Sequence, residues 1–175
     1  MWSEKFLKGS VMDAQKQEII VGDLPKGITR ADDAYGNKVW NVLGHEYHAK
    51  VESSSSFAWL SLDPSGTGVP PHIHPEQDEH IYVLEGRYTL YLDGEWVTAG
   101  PGDSVRMPMG LAHAYYNKEQ GAAKSLFWVS PTGDLPELFA QLHNLNDPDE
   151  VVRLSAELGV NFIPEETLPG FADGQ

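Results

Sequence analysis

His72, His74 and Glu79 lie within the stretch GTGVPPHIHPEQDEHIYVLEG, residues 66–86, and their types and spacing suit a single metal ion. Side chains alternate faces along a strand, so His72 and His74 point the same way, and a tight turn through Pro75 to Asp78 can return Glu79 beside them. A fourth candidate ligand, His113, lies in GDSVRMPMGLAHAYYN, where Pro108 and Gly110 mark a turn ahead of an aromatic strand. Three imidazoles and one carboxylate leave room for exogenous ligands, which points to a reactive centre more than a structural one. These donors suit one divalent transition metal, Fe(II), Ni(II), Co(II), Mn(II) or Zn(II), and the general order of affinities does not choose among them. The chain has no cysteine, so thiolate ligands and disulfides are excluded.

Positioning four such groups calls for strands. From Lys38 the chain runs in short β-like segments punctuated by Gly, Pro, Asn and Asp, the pattern of an all-β protein. Candidate strands are Val39–Leu43, Tyr47–Val51, Phe57–Leu62, Glu79–Glu85, Tyr88–Leu92, Ser104–Met107 and Ala123–Ser130, with a hairpin at Asp93-Gly94 and a further strand carrying His113, Tyr115 and Asn117 on one face. If Glu79 faces the interior, so do Ile81 and Val83, which leaves His80, Tyr82 and Leu84 outward. Apolar residues on that outer face call for a covering layer, from the C-terminal segment or a second subunit. His45 and His48 fall outside both stretches and read as ordinary polar strand or turn residues.

After Pro131 the period becomes helical. Asp134 with Glu137 reads as a capping box ahead of Leu138–Leu142, and Asp147 with Glu150 repeats the device ahead of Val151–Leu158, which Gly159 ends. The stripes formed by Leu138, Leu142, Val151, Leu154 and Leu158 are expected to pack on the outside of the β-structure. Pro164 to Gln175 is expected to be loosely ordered. The organisation that follows is an N-terminal extension over 1–35, with a short helix at Met12–Glu18 and a turn at Leu24 to Gly27, a β-barrel over 36–132, and a C-terminal helical tail over 133–175 packing on the barrel.

The two stretches also carry a family resemblance. Gly66, His72, His74, Glu79 and Gly86 stand at the spacing of the first cupin motif, and Gly102, Pro108, Gly110, His113 and Asn117 at that of the second. The chain thus resembles the cupin superfamily, which implies a small jelly-roll β-barrel, with His72, His74, Glu79 and His113 as the metal ligands. Glu76 and Asp78 do not stand at the family's spacing and read as solvated loop charges.

Composition narrows the partners. A formal charge of −14 leaves too few Lys and Arg to neutralise phosphates, so neither nucleic acid nor an anionic membrane is expected. The segment MWSEKFLKGS has no apolar signal core, no stretch approaches a membrane span, and a cytoplasmic protein is expected. No helix-turn-helix segment accompanies the barrel.

The plan of a single barrel followed by a tail reading LPELFAQL and LSAELGVNFIPEE is similar to that of quercetin 2,3-dioxygenase-like proteins. That resemblance implies a metal-dependent dioxygenase in which Glu79 takes the proton of an enolic or phenolic, flavonol-like substrate that then reacts with dioxygen. Trp59, Tyr88, Met107, Tyr115 and Phe127 are the candidates for an apolar substrate pocket. The alternatives are a zinc-dependent cupin cyclase or isomerase and a non-enzymatic small-molecule-binding cupin. A decarboxylase or lyase acting on a small acid is disfavoured, because Lys38, Lys50, Arg87, Arg106 and Lys124 are dispersed. A homodimer, common among cupins, is the expected assembly.

Overall fold

Residues 27–174 are described by a computed structural model; the helix expected over Met12–Glu18 and the turn expected at Leu24-Pro25-Lys26 lie outside them. Among the described residues the apolar alternation resolves into eleven strands: β1 Val39–Val42, β2 His45–Glu52, β3 Phe57–Asp63, β4 Gly68–Ile73, β5 Asp78–Glu85, β6 Tyr88–Leu92, β7 Glu95–Ala99, β8 Ser104–Met107, β9 His113–Tyr116, β10 Ala123–Ser130 and β11 Asn161–Phe162. All pairings are antiparallel, in a six-stranded sheet ordered β1-β2-β3-β10-β5-β8 and a five-stranded sheet ordered β11-β4-β9-β6-β7. The fold is an all-β jelly roll with a C-terminal helical segment.

Strand β10 shows why the sheets close on each other. Ala123, Ser125, Phe127 and Val129 are buried and alternate with half-buried neighbours, so one face of the strand is committed to the interior. Phe127 stacks on Trp59 of β3 at 5.5 Å and stands opposite Ile81 of β5 in the ladder. Trp128 points outward and stacks on His80 at 4.8 Å.

On β5, Glu79, Ile81 and Val83 are buried, as the alternation requires. Tyr82 and Leu84 face out and remain 40 % and 41 % exposed, so the tail helices do not supply their covering layer. The tail packs on the barrel at other places, and its first helix joins the core cluster instead of covering Tyr82 and Leu84. Helix α1, Leu135–Leu142, turns Leu135, Leu138, Phe139 and Leu142 into the same core cluster as the barrel interior. The Phe139 ring lies 4.8 Å from that of Tyr47 and 5.1 Å from that of Trp59. The physical reason is that Trp40, Tyr47, Phe57 and Trp59 all contribute to this core at one end of the barrel, and an amphipathic helix is the nearest apolar cover for them.

Helix α2, Pro148–Glu157, begins where expected, with the Asp147 side chain accepting from the backbone N–H groups of Asp149 and Glu150. Asp134 makes no such bond at the start of α1. Residues 164–174 are not loose. Phe171 is buried against Tyr91, and the Trp96 indole donates to the carbonyls of Gly170 and Phe171, strapping the C-terminal segment to β6 and β7. No helix among the described residues is long and apolar enough to cross a membrane.

Candidate metal centre

An irregularity in β4 sets the site. Val69 pairs with Tyr115, yet His72 pairs with His113, so β4 uses one residue more than β9 over the same span. The extra residue falls at Pro70-Pro71, where proline has no N–H to give the ladder. Without this bulge Val69 and His72 would lie on opposite faces; with it, both face the interior and His72 stands across from His113. His74 follows on the same face, and the turn at residues 75–77 returns the chain so that Glu79 enters from the opposing sheet.

The four groups converge. The Nε2 atoms of His113, His74 and His72 lie 3.0, 3.2 and 3.7 Å from one oxygen, Glu79 Oε2. One donor atom from each residue falls within 4.8 Å of all the others, and all four residues are buried.

Each imidazole is turned to offer Nε2. His72 Nδ1 donates to the Pro70 carbonyl and His113 Nδ1 to the Leu111 carbonyl, each at 2.9 Å, while His74 Nδ1 donates to Gln77 Oε1 at 2.9 Å. With an ion at the common point, acceptors at Nδ1 would keep each ring's remaining proton there and leave the Nε2 lone pair to the metal.

The electrostatics also suit a cation. Burial disfavours the Glu79 charge, but the His74 imidazolium and hydrogen bonds from His113, His72 and His74 outweigh it and hold the carboxyl well below its usual range. Burial, with the neighbouring His113 charge, pushes His72 down to about 4. Burial would lower His74 as well, yet the Glu79 carboxylate, joined by Gln77, raises it. A proton shared with His74 therefore compensates the buried carboxylate, and a divalent ion fits the same place.

Gln77 was not legible as a participant. It is buried, and its amide nitrogen donates to the Pro131 and Thr132 carbonyls, which fixes its oxygen toward His74. Gly133 makes room for it, since a Cβ there would stand 2.9 Å from the Gln77 amide nitrogen and the backbone has a φ of +51°. Gln77→Leu is expected to weaken metal affinity about 10- to 100-fold by releasing the His74 ring. Chelator competition measures it, and an unchanged affinity would show that the bond is idle.

Asp78 is not the free loop charge expected from sequence. It accepts from Arg106 and from the Met109 backbone N–H at 2.8 and 2.9 Å, and the Arg106 guanidinium holds its carboxyl below the usual range. It thereby ties the turn before β9 to β5. Glu76 is exposed, as expected. His48 pairs with Glu46 at 2.6 Å, but His45 departs from its ordinary reading. It is buried with Nδ1 2.6 Å from Asp63, which also accepts from Ser61 and Tyr88.

His72, His74 and Glu79 open on a chamber of about 50 Å³ whose walls include Tyr47, Trp59, Val69, Tyr115, Leu138, Phe139 and Phe162. Of the five pocket residues expected from sequence, Trp59 and Tyr115 line it, whereas Tyr88, Met107 and Phe127 are fully buried core outside its lining. Tyr88 is withdrawn by its bond to Asp63, and Phe127 is sandwiched against Trp59. Tyr47 and Tyr115 share a hydroxyl–hydroxyl bond of 3.0 Å, and burial raises both phenols so that they stay neutral. Trp59 Nε1 is buried without a hydrogen-bond partner among the described residues.

Comparison with known proteins agrees with this geometry. The Cupin domain family matches residues 58–130, a span that holds all four donors. KdgF from a Halomonas species superposes with a TM-score of 0.56 at 22 % identity, covering 62 % of this chain and 97 % of that one. An RmlC-like cupin from Shewanella frigidimarina superposes with a TM-score of 0.51 at 18 % identity, covering 59 % and 93 %. Residues 58–130 are a cupin domain. Among curated relatives, the polyketide synthase protein CurC of Streptomyces cyaneus is 31 % identical over 50 % of this chain and 57 % of its own length. The tetracenomycin polyketide synthase protein TcmJ of Streptomyces glaucescens is 30 % identical over 51 % and 60 %. Quercetin 2,3-dioxygenase of Bacillus subtilis is 35 % identical over 42 % of this chain and only 23 % of its own length. The match therefore spans less than two thirds of each of these three relatives.

Proposed function

We propose that this cupin is a metal-dependent dioxygenase acting on an enolic or phenolic aromatic substrate of the flavonol kind. The observation that carries the reading is that Glu79, His72 and His74, three of the four converging donors, open on a mainly apolar chamber. A divalent metal held by His72, His74, Glu79 and His113 would supply Lewis-acid activation of the substrate hydroxyl and a site for dioxygen.

The chain's own residues do the rest. Glu79 is the catalytic group: its carboxylate reaches into the chamber and can take the hydroxyl proton, forming its O–H bond as the substrate's breaks. The aromatic and aliphatic walls exclude water, so charge on the deprotonated oxygen is not dissipated in solvent. The resemblance of this domain to quercetin 2,3-dioxygenase supports the choice of reaction.

An oxygen electrode with metal-replete protein and 3-hydroxyflavone tests it. Consumption of dioxygen that stops when the metal is removed is expected; no uptake with 3-hydroxyflavone or simpler enolisable aromatics would sink the reading. A second reading, a zinc-dependent cyclase or isomerase, is favoured by the two polyketide synthase relatives, which match more of this chain than the dioxygenase does. Product formed without dioxygen uptake would select it.

A further inference from the structure

We propose that the apolar groove outside the metal chamber, between the β1–β2 turn, β4 and α2, seats the apolar body of the substrate, with Leu43 and Phe162 as the gate between groove and chamber. The inference rests on the reading above, in which the chamber activates a substrate hydroxyl.

Size is the first ground. The chamber holds about 50 Å³, room for a hydroxyl-bearing fragment smaller than one aromatic ring. Small-molecule sites usually run to about 300–1,000 Å³, so most of any such substrate must lie elsewhere. The groove adds about 410 Å³, and Leu43 and Phe162 are walls of both spaces. Groove and chamber are thus two compartments divided by two side chains.

The lining is the second ground. Pro70, Pro71, Val151, Val152 and Ile163 are among the groove's lining residues, and none of the described residues that line it is charged. In a chain with 26 acidic residues and a net charge of −14, a wall without one carboxylate fits an uncharged apolar occupant and neither a cation nor an anion.

The gate is the third. Leu43 has a φ of 53°, a left-handed conformation that a branched side chain adopts at a cost, in a turn where Gly or Asn would be easier. That conformation sets a leucine at the boundary of the two spaces. Phe162 belongs to the two-residue strand β11 and pairs opposite His72, with the rings 6.0 Å apart. A side chain on so short an edge strand can rotate without disturbing the barrel ladder. The occupant is therefore a neutral molecule with one enolic or phenolic head and an alkyl or aryl body, entering past Leu43 and Phe162.

The test uses the full metal-replete chain under argon. N-phenyl-1-naphthylamine, a neutral apolar dye with no hydroxyl for the metal, should fluoresce on binding. Val152 is half exposed on α2, so Val152→Glu should fold normally by circular dichroism. It should weaken dye binding by about tenfold or more by placing a charge against the apolar occupant. 4-Hexylcatechol should displace the dye at far lower concentration than catechol, by about 3-fold per added carbon that enters the groove. Dye binding unchanged in Val152→Glu, or equal displacement by the two catechols, would overturn the groove. So would absence of dye binding to the full chain, the result expected if residues 1–26 or a second copy already fill it. Failure of the chamber reading shows separately, as catechol binding that is the same in His113→Ala as in wild type, whatever the dye does.

Discussion

Glu79→Gln protein is expected to keep most of its metal and to lose turnover by about 10²- to 10⁴-fold, the range for a missing general base. The substitution is nearly isosteric, and the Nδ1 bonds of His72, His74 and His113 to Pro70, Gln77 and Leu111 do not involve Glu79. Removing the carboxylate also removes what raises His74, so the ring becomes easier to deprotonate and a better neutral ligand. Three neutral, oriented imidazoles therefore remain. What is lost is the carboxylate that opens on the chamber and can accept a proton. A carboxylate beside a cation is a weak base, so Glu79 serves in this role only if it disengages as the substrate oxygen arrives. Elemental analysis and turnover on one confirmed substrate should consequently separate. Near-normal turnover in Glu79→Gln at saturating metal would reduce Glu79 to a replaceable ligand.

The parts of this architecture that were legible in sequence are those written in local period. Alternation along β5 announced which residues face inward, and the His-x-His and Glu spacing announced a chelate whose members the fold brings together. What was not legible depends on contacts between distant segments. An apolar stripe on α1 states that the helix must cover something, and only the barrel's end, with Tyr47 and Trp59, decides what. Gln77 sits between two recognised ligands, yet its use depends on carbonyls at Pro131 and Thr132. His45 is isolated in sequence because its partner, Asp63, arrives a strand later. Phe171 gave no periodic signal at all, since a single aromatic in a loop has no period; its partners Tyr91 and Trp96 lie on another hairpin. The bulge at Pro70-Pro71 was half visible: two prolines announce a broken ladder, but not that the break realigns His72 with His113.

His113→Ala is expected to lose metal and activity together while the barrel survives. His113 is fully buried, and its Nε2 makes the shortest contact to Glu79 at 3.0 Å, so its loss removes one of four donors and leaves the carboxylate short of a partner. A buried group deprived of a hydrogen bond costs about 1–3 kcal/mol, and the vacated ring volume adds to it. At roughly 2–4 °C per kcal/mol for a chain of this size, the metal-free variant should melt several degrees below metal-free wild type. Unfolding outright is not expected, because the core of Trp59, Ile81, Leu90, Tyr115 and Phe127 is assembled without the metal, unlike that of a zinc finger. The sharper readout is thermal: a ligand that binds only the folded state raises the melting temperature as its concentration exceeds Kd. Added metal should therefore raise the melting temperature of wild type and of Glu79→Gln, and leave that of His113→Ala nearly unmoved. Full metal occupancy in His113→Ala by elemental analysis, or a melting temperature that rises with metal as in wild type, would show that His113 is not a ligand and that its bond to Glu79 is purely structural.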